Sequence, residues 1–223
     1  MSTEPVTATV DAKVTRAADS GAAENGGSTN GSGTIRMPAA ERRRQILQVA
    51  LEVFSRSGYH DTSMNAVAAE AGVTKPVLYQ HFASKHELFE VLLTETGDDL
   101  LRAIESSEVE ETPRRRVEAG FRAFFRFFED RPAAFAVLYG SSLATDPEFR
   151  RDARQVRDSF SEYLTRIMGE MDYEDALAMA AGINGLSEGM IRHWMHLGRI
   201  RSSEEMAALA ARLAWSGIEG LNG

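Results

Sequence analysis

Apolar residues recur at spacings of three and four from Pro38 almost to the end of the chain, which is the period of one face of an α-helix. Pro38 suits a helix start, and Gly58 is expected to end this first helix. No stretch alternates apolar and polar residues convincingly, as a half-buried β-strand would. The pattern therefore predicts an all-α fold of about nine helices.

Polar capping residues predict where the later helices begin. Thr62 or Ser63 can cap a short helix from Met64 to Ala71, and Thr74 can cap another from Lys75 to His81. Two capping boxes, each a serine followed three residues later by a glutamate, begin further helices. The later starts are Ser84 and Ser202, the prolines Pro113 and Pro132, the dipeptide Asp146-Pro147, and Asp172.

The two short helices have the composition of a tight corner. Helices joined by a glycine turn can cross closely only where the residues at the crossing are small, and Ala68, Ala71 and Gly72 are small. Val67 and Leu78 can fill the core between them. A rigid corner of this kind is what a helix-turn-helix needs in order to hold its second helix in the major groove of DNA.

The second helix of this motif has an outward face that suits DNA better than water. On a helical wheel, Leu78 and Phe82 point inward. Val77, Tyr79 and Gln80 then lie outward or flank them, and a solvated helix seldom exposes such residues together. Against a duplex, Val77 could touch a thymine methyl group, Gln80 a base edge and Tyr79 a phosphate.

Polar residues around this face could position it on the DNA backbone. Lys75 lies in the first turn of the second helix, and Lys85 begins the next helix. Thr62 could bind phosphate at the start of the first motif helix, as helix N-termini do. Each could instead be an ordinary solvated or core residue. The full candidate DNA-binding set is Arg43, Thr62, Thr74, Lys75, Pro76, Val77, Tyr79, Gln80, His81 and Lys85.

The overall charge of the chain does not decide against DNA. The formal net charge is −8, but DNA responds to the field of one face, and the run Arg42–Arg44 makes a local positive field. The absence of cysteine excludes disulfides, thiolate metal sites and a cysteine nucleophile. We see neither a signal-peptide pattern nor an apolar run of membrane-spanning length, so we expect a cytoplasmic protein outside the membrane.

The motif residues stand at the spacings of a known family. The region from Arg44 to Leu88 resembles the DNA-binding domain of the TetR/AcrR family of bacterial regulators, at Gly58-Tyr59, Thr62-Ser63, Ala71–Phe82 and Ser84-Lys85. The resemblance implies a three-helix DNA-binding domain, a larger helical ligand-binding domain and a homodimer. It also implies that DNA lies near Thr62, Lys75, Tyr79, His81 and Lys85.

Three segments are similar to actinobacterial regulators of fatty-acid synthesis within that family. They are Pro76–Phe82 and two shorter ones, Phe124-Phe125-Arg126-Phe127-Phe128 and Ala214-Trp215-Ser216-Gly217. This similarity implies a fatty acyl or long-chain acyl-CoA effector. Such regulators can activate as well as repress, and we favour repression as the expectation.

The chain is expected to have three parts. Residues 1–36 are dominated by Ala, Gly, Ser, Thr and Asn, and cannot bury enough apolar surface to offset their ordering entropy, so we expect a disordered tail. This tail could be a plain linker or add a DNA contact, and its few charges favour the linker. A helix-turn-helix DNA-binding domain at 37–83 and a helical ligand-binding and dimerisation domain at 84–223 follow.

The large apolar side chains of the second domain are candidates for an effector pocket. Each one more commonly belongs to a packed core. Together they could instead line an apolar cavity between helices and bind a small hydrophobic effector. The candidate pocket residues are Phe121, Phe124, Phe125, Phe128, Phe135, Leu138, Met179, Ile183, Met190 and Trp194.

Three glycines mark a candidate dimer interface. Gly182, Gly185 and Gly189 follow spacings of three and four, which lets another helix approach closely. Each costs roughly 1 kcal/mol of helix propensity relative to alanine, which packing within one subunit or between two should offset. A two-fold dimer would place two recognition helices about one DNA turn apart on a palindromic operator.

Chemistry other than binding has little support in the sequence. His193 and His196 could face one metal ion, but no third ligand is near in sequence, so we expect no metal site. There is no glycine-rich phosphate loop or nucleophile motif, so we expect neither an enzyme nor a cofactor. The alternative to a DNA-binding regulator is a helical ligand-binding protein or enzyme in which the helix-turn-helix is only a packing unit. The outward face with Tyr79 favours the regulator.

Overall fold

A computed structural model of the protein describes residues 37–106, 112–140, 149–168 and 171–221. These ranges contain nine α-helices and no β-strand, which confirms the predicted all-α fold. None of the described helices is long and apolar enough to cross a bilayer. The predicted tail and the helix start at Asp146-Pro147 lie outside the described residues. The helices are α1 (Ala39–Asp61), α2 (Met64–Glu70), α3 (Lys75–His81), α4 (Lys85–Glu105), α5 (Pro113–Asp130), α6 (Pro132–Tyr139), α7 (Arg150–Ile167), α8 (Tyr173–His196) and α9 (Ser203–Leu221).

Side-chain caps begin most of these helices where the sequence predicts them. Ser63, rather than Thr62, caps α2, because the Ala66 N–H donates to Ser63 Oγ at 3.1 Å. Ser84 Oγ accepts from the Glu87 N–H at 3.0 Å and begins α4. Such a cap satisfies one of the N–H groups that a helix terminus leaves without a partner. Equivalent caps precede α5, α8 and α9 at Thr112, Asp172 and Ser202.

Helix α1 bends at Gly58, where the sequence predicts that it ends. Gly58 has φ 73° and ψ 175°, a conformation that essentially only glycine adopts. The chain then resumes one helical turn as far as Asp61. The bend turns the ring of Tyr59 into the interior, where it is 9% exposed. Gly58 therefore places an aromatic side chain beneath the start of α4.

Two apolar clusters hold the helices together, and α4 contributes to both. The first packs α1, α2 and α3 against the first half of α4, around Leu78 and Leu88, and includes Phe149 just before α7. The second packs α5, α8 and α9 together around Phe125 and takes in Leu100 of α4. Helix α4 thus lies in the core formed with α1–α3 at its start and in the core formed with α5, α8 and α9, the larger region, further on.

Helix α7 crosses α4 at a contact that requires glycine. A Cβ atom on Gly97 would lie 2.9 Å from Val156 Cγ1 and 3.1 Å from Val156 Cγ2. Such distances are too short for carbon atoms in contact, and the β-branched valine has little freedom to move away. The missing side chain of Gly97 therefore sets how closely α7 approaches α4.

Candidate DNA interface and ligand cavity

The α2–α3 corner is a closely packed helix-turn-helix. Gly72 adopts φ 64°, the left-handed conformation that ends a helix, and the Val73 N–H donates to the Ala68 carbonyl at 3.0 Å. Val67 and Leu78 are fully buried between the helices. The small residues at the crossing therefore let α2 and α3 pack closely, as the sequence predicts.

The face of α3 opposite this corner is open to solvent. Lys75, Pro76, Tyr79 and Gln80 are all exposed, and Tyr79 retains 42% of its accessible surface. The Lys75 ammonium lies 5.7 Å from the centroid of the Tyr79 ring, so the two side chains form a cation–π pair on this face. Four neighbouring side chains are thus available to a partner. Thr74 is exposed beside them, and Val77 and His81 are half-buried at the edge.

Lys85 points back into the protein, toward the end of α1. Its ammonium donates hydrogen bonds to the backbone oxygens of Tyr59 at 2.8 Å, Thr62 at 3.0 Å and His60 at 3.3 Å. It also lies 4.3 Å from the centroid of the Tyr59 ring. A lysine ammonium has three protons, and this arrangement engages all of them. The side chain joins the first turn of α4 to the α1–α2 connection.

Two more of the candidate DNA-binding residues are engaged within the domain. Thr62 is only 3% exposed, and its hydroxyl donates to the Gly58 carbonyl at 2.7 Å. Arg43 forms an ion pair with Glu95 of α4 at 2.7 Å and stacks over the ring of Phe82 at 4.9 Å. Sequence spacing places these residues near the motif but carries no signal for their partners, because Glu95 is 52 residues away from Arg43.

An aromatic cluster links the start of α7 to α1 and α4. Phe149 is fully buried, and its ring lies 4.5 Å from that of Tyr59 and 4.7 Å from that of Phe89. It stacks on His86 at 5.1 Å with an interplanar angle of 17°. Phe149 therefore touches both the end of α1 and the first turns of α4. Sequence analysis missed this residue, because a single phenylalanine two positions after a proline has no distinguishing pattern.

The larger region encloses a mainly apolar cavity of about 400 Å³. Its wall comes from α4 to α9 and includes four of the predicted pocket residues, Phe121, Phe124, Met179 and Ile183. Phe125, Phe128 and Trp194 belong to the packed core instead, with Met190 and Phe135 against it. Ring crowding explains this division, since Phe125 packs edge to face against both Phe124 and Trp194. The polar wall residues that pattern analysis did not find are Arg116, Arg157, Asn184, Ser187 and Glu188, and Tyr139 lies on the wall with them.

A second cavity of about 330 Å³ adjoins the first. Tyr139, Arg157, Phe160 and Glu188 line both cavities, and Leu138 lines the second one. Burial and then the negative charge of Glu188 raise the pKa of the Tyr139 phenol far above its usual range, against the opposing effect of Arg192 and Arg157. The phenol is therefore a hydrogen-bond donor at any ordinary pH.

The three glycines of α8 lie on an open surface. A Cβ atom on Gly182, Gly185 or Gly189 would meet nothing within 4 Å, and all three residues are exposed. Packing among the described residues therefore does not require these glycines. His193 and His196 of the same helix are also exposed, and no cluster of three or more metal-binding side chains occurs in the described ranges.

A helix-turn-helix with an open second helix, joined through α4 to a helical body that contains an apolar cavity, defines the class of ligand-binding transcription regulators. The family model described as bacterial regulatory proteins, tetR family, matches residues 46–92. The chain is 31% identical over 198 residues to the HTH-type transcriptional activator FasR of Mycolicibacterium smegmatis, a match that spans 86% of this chain and 89% of that protein. The chain belongs to the TetR family of bacterial regulators.

Solved structures share the fold. A TetR-like transcriptional regulator from Rhodococcus sp. RHA1 is 29% identical, with a TM-score of 0.69 over 83% of this chain and 100% of that one. The transcriptional regulator FadR of Bacillus subtilis, solved in complex with stearoyl-CoA, is 18% identical, with a TM-score of 0.67 over 78% of this chain and 98% of that one. The second likeness is one of fold alone. The resemblance to the TetR/AcrR family seen in the sequence is thereby confirmed.

Proposed function

We propose that the protein is a cytoplasmic, ligand-responsive transcriptional regulator that binds a palindromic operator as a homodimer and uses no cofactor. The observation that carries this proposal is the open face of α3, with Lys75, Pro76, Tyr79 and Gln80 exposed together on a domain whose other aromatic side chains, Phe54, Tyr59 and Phe82, are buried. A helix that served only as a packing unit would have no reason to expose this set.

Individual residues have separate roles in the proposed complex. Gln80 and half-buried Val77 would contact base edges, and Lys75 would meet a phosphate or a guanine. The Tyr79 hydroxyl would donate to a phosphate, with Thr74, Pro76 and His81 beside it. The ammonium of Lys85 is engaged by carbonyl groups, so its contribution would come through the placement of the α4 N-terminus, where backbone N–H groups can bind phosphate.

The positive field for DNA binding would be local to α1 and α3. Arg44 is exposed, and Arg42 is held by Gln45 at 2.6 Å, whereas Arg43 is neutralised in part by Glu95. Thr62, which is buried, would support the α1–α2 connection rather than touch phosphate itself. DNA binding should therefore weaken as the salt concentration rises. The slope of log affinity against log salt concentration is set by the few cationic side chains that can contact phosphates.

The proposed effector is hydrophobic, such as a fatty acyl group or an acyl-CoA. The apolar wall of the larger cavity supports this, because an apolar ligand gains free energy by leaving water for such a surface. The similarity of Phe124–Phe128 and Ala214–Gly217 to regulators of fatty-acid synthesis favours the same class of ligand. Occupancy would shift the population between two arrangements of the dimer through α4, whose Ile104 lines the cavity.

The proposed dimer uses the glycine face of α8. Gly182, Gly185 and Gly189 are open in the single chain, so a second copy offers the packing that would offset their poor helix propensity. A two-fold interface of this kind would repeat the same face on both subunits. The operator would then contain two inverted half-sites.

A mobility-shift titration tests the proposal. Duplexes from the promoters around the gene for this protein should bind better than a shuffled duplex of equal length, and a fatty acid or acyl-CoA should change that affinity. Equal binding to all duplexes would contradict specific regulation. The sign of regulation stays a prediction. Repression is our expectation, whereas the relative FasR is named an activator, and transcription from the bound promoter in vitro decides between them.

A further inference from the structure

We propose that the two cavities form one continuous site for a single elongated ligand, and that only a ligand long enough to enter the second cavity changes DNA affinity. This inference rests on the proposed function, because it states which hydrophobic ligands of that site act as effectors. The larger cavity would supply most of the affinity, and the second cavity would supply the regulatory response.

The larger cavity is elongated along α7. The residues of α7 that line it recur at spacings of three and four from Arg157 to Met168, so they form one face of that helix. This stretch is about 16 Å long at the rise of an α-helix. The Asn184 amide donates to Ser161 Oγ at 2.9 Å and joins α8 to the middle of α7 beside the cavity. An extended hydrocarbon chain would therefore lie along the two helices.

The second cavity extends this space toward the start of α7. Ala153 lines the second cavity and lies four residues before Arg157, which adds about 6 Å along the helix. The half-buried rings of Tyr139 and Phe160 border both cavities, so the two spaces meet at these side chains. A chain that is longer than the larger cavity would pass these rings and enter the second cavity.

The charged residues around the cavities do not require a charge on the ligand. Glu188 is ion-paired with Arg192 at 2.8 Å. Arg157 on both walls and Arg116 on the wall of the larger cavity are exposed to solvent. Chain length, rather than the head group, is therefore the property of the ligand that decides whether it reaches the second cavity.

Only the second cavity lies against the apolar cluster that packs α1–α3 on α4. Leu93 is a buried member of that cluster and lines the second cavity, and Leu138 and Val156 line the cavity and pack against the cluster. Val156 also touches Gly97 of α4, where an added Cβ atom would lie 2.9 Å from its Cγ1. None of the described residues around the larger cavity is a member of that cluster. A chain in the second cavity would therefore press on side chains that support the helix-turn-helix, and a shorter chain would not.

A series of saturated fatty acids tests this inference with the full chain. Octanoate, decanoate, dodecanoate, tetradecanoate and hexadecanoate differ only in length. Extended octanoate is shorter than the larger cavity, and extended hexadecanoate is longer. Calorimetric titration below the micelle concentration of each acid measures binding, and mobility shift with the operator duplex at saturating acid measures DNA affinity. We expect all five acids to bind, more tightly with each added methylene, and only the longer ones to change operator affinity, by at least tenfold.

Three variants make the outcome specific to the two cavities. Met179→Trp shortens the larger cavity, so a shorter acid should reach the second cavity and change operator affinity. Ala153→Leu fills the second cavity, so hexadecanoate should no longer change operator affinity, while octanoate should bind as before. Arg154→Leu adds a leucine at an exposed position of α7 that lines neither cavity, and it should alter neither result.

The possible outcomes separate this inference from the proposed function. If octanoate changes operator affinity as strongly as hexadecanoate, the length threshold is wrong and a ligand-responsive regulator remains. An unchanged threshold in Met179→Trp overturns the continuous site in the same way. If all the acids bind and none changes operator affinity, the regulatory response and the threshold are both wrong. If no acid binds, the hydrophobic effector is wrong as well.

Discussion

The ammonium of Lys85 lies 2.8 Å from the backbone oxygen of Tyr59 and 4.3 Å from the centroid of its ring. The lysine is the first residue of α4, and the tyrosine follows the bend in α1. The Phe149 ring lies 4.5 Å from the same tyrosine ring. These contacts join the end of α1, the start of α4 and the residue before α7 at one point.

Replacement of Lys85 by methionine should lower both stability and DNA binding. The change leaves backbone carbonyls of the α1–α2 connection without their charged donor, at a cost of about 1–3 kcal/mol in the free energy of unfolding. Tm should fall by about 2–4 °C for each kcal/mol in a chain of this size. Operator affinity should weaken by the same factor for every sequence, because the residue positions the domain and reads no base.

Lys75→Met is the matched control for this prediction. Lys75 is exposed, and among the described residues its ammonium is paired with the Tyr79 ring, so its replacement should leave Tm within about 1 °C while reducing the salt slope of binding by about one phosphate. Circular dichroism and mobility shift at several salt concentrations separate the two lysines. An unchanged Tm in Lys85→Met would contradict the structural role assigned to its ammonium.

Removal of the Tyr79 hydroxyl should weaken binding without altering specificity. Tyr79→Phe loses one proposed phosphate contact, a change of about 0.5–1.5 kcal/mol, or roughly twofold to tenfold in affinity. Gln80→Ala should instead reduce discrimination at one base pair by about 1–3 kcal/mol. Selection from a randomised operator library measures both effects. Tyr173→Phe, at an exposed tyrosine of α8, should leave both quantities unchanged.

A larger residue at Gly185 should dissociate the dimer while leaving the fold intact. A side chain there meets nothing within 4 Å in the single chain, and leucine is a better helix former than glycine. We therefore expect Gly185→Leu to retain its helical spectrum but to sediment as a monomer at concentrations where the unmodified chain is a dimer. Ala69→Leu, at an exposed position of α2, is the control and should stay dimeric. A dimeric Gly185→Leu protein would place the interface elsewhere.

The contact between Gly97 and Val156 should respond to a pair of substitutions in a characteristic way. Gly97→Ala introduces a Cβ atom 2.9 Å from Val156 Cγ1, and overpacking of this kind costs about 1–3 kcal/mol. The double variant Gly97→Ala, Val156→Ala has no such clash. Its free energy of unfolding should therefore lie close to that of Val156→Ala alone. Chemical denaturation of the four proteins gives the coupling energy. Additive effects would show that α7 does not press on α4 at this point.

The DNA-binding region was predictable from sequence in more detail than the cavity, and the reason is physical. Ser63 and Ser84 each accept a hydrogen bond from the residue three positions further on, and Gly72 and the buried Leu78 are six positions apart, so spacing alone indicates their geometry. The partners of Arg43 and Lys85 come from other helices, and no local pattern indicates them. In the larger region, Phe124 and Phe125 are adjacent and equally apolar, yet the first lines the cavity and the second is core.

Gly58 should not tolerate substitution, whereas the glycines of α8 should tolerate it in a single chain. At Gly58 the backbone itself, with φ 73° and ψ 175°, excludes every other amino acid whatever space surrounds it. At Gly182 and Gly189 the backbone is helical, and alanine fits the single chain without conflict. In a library of random variants selected only for folding, Gly58 should remain glycine, whereas other residues should replace the α8 glycines. Sorting the same library for operator binding would fix the α8 glycines as well, and so would separate the residues that build one subunit from those that build the assembly.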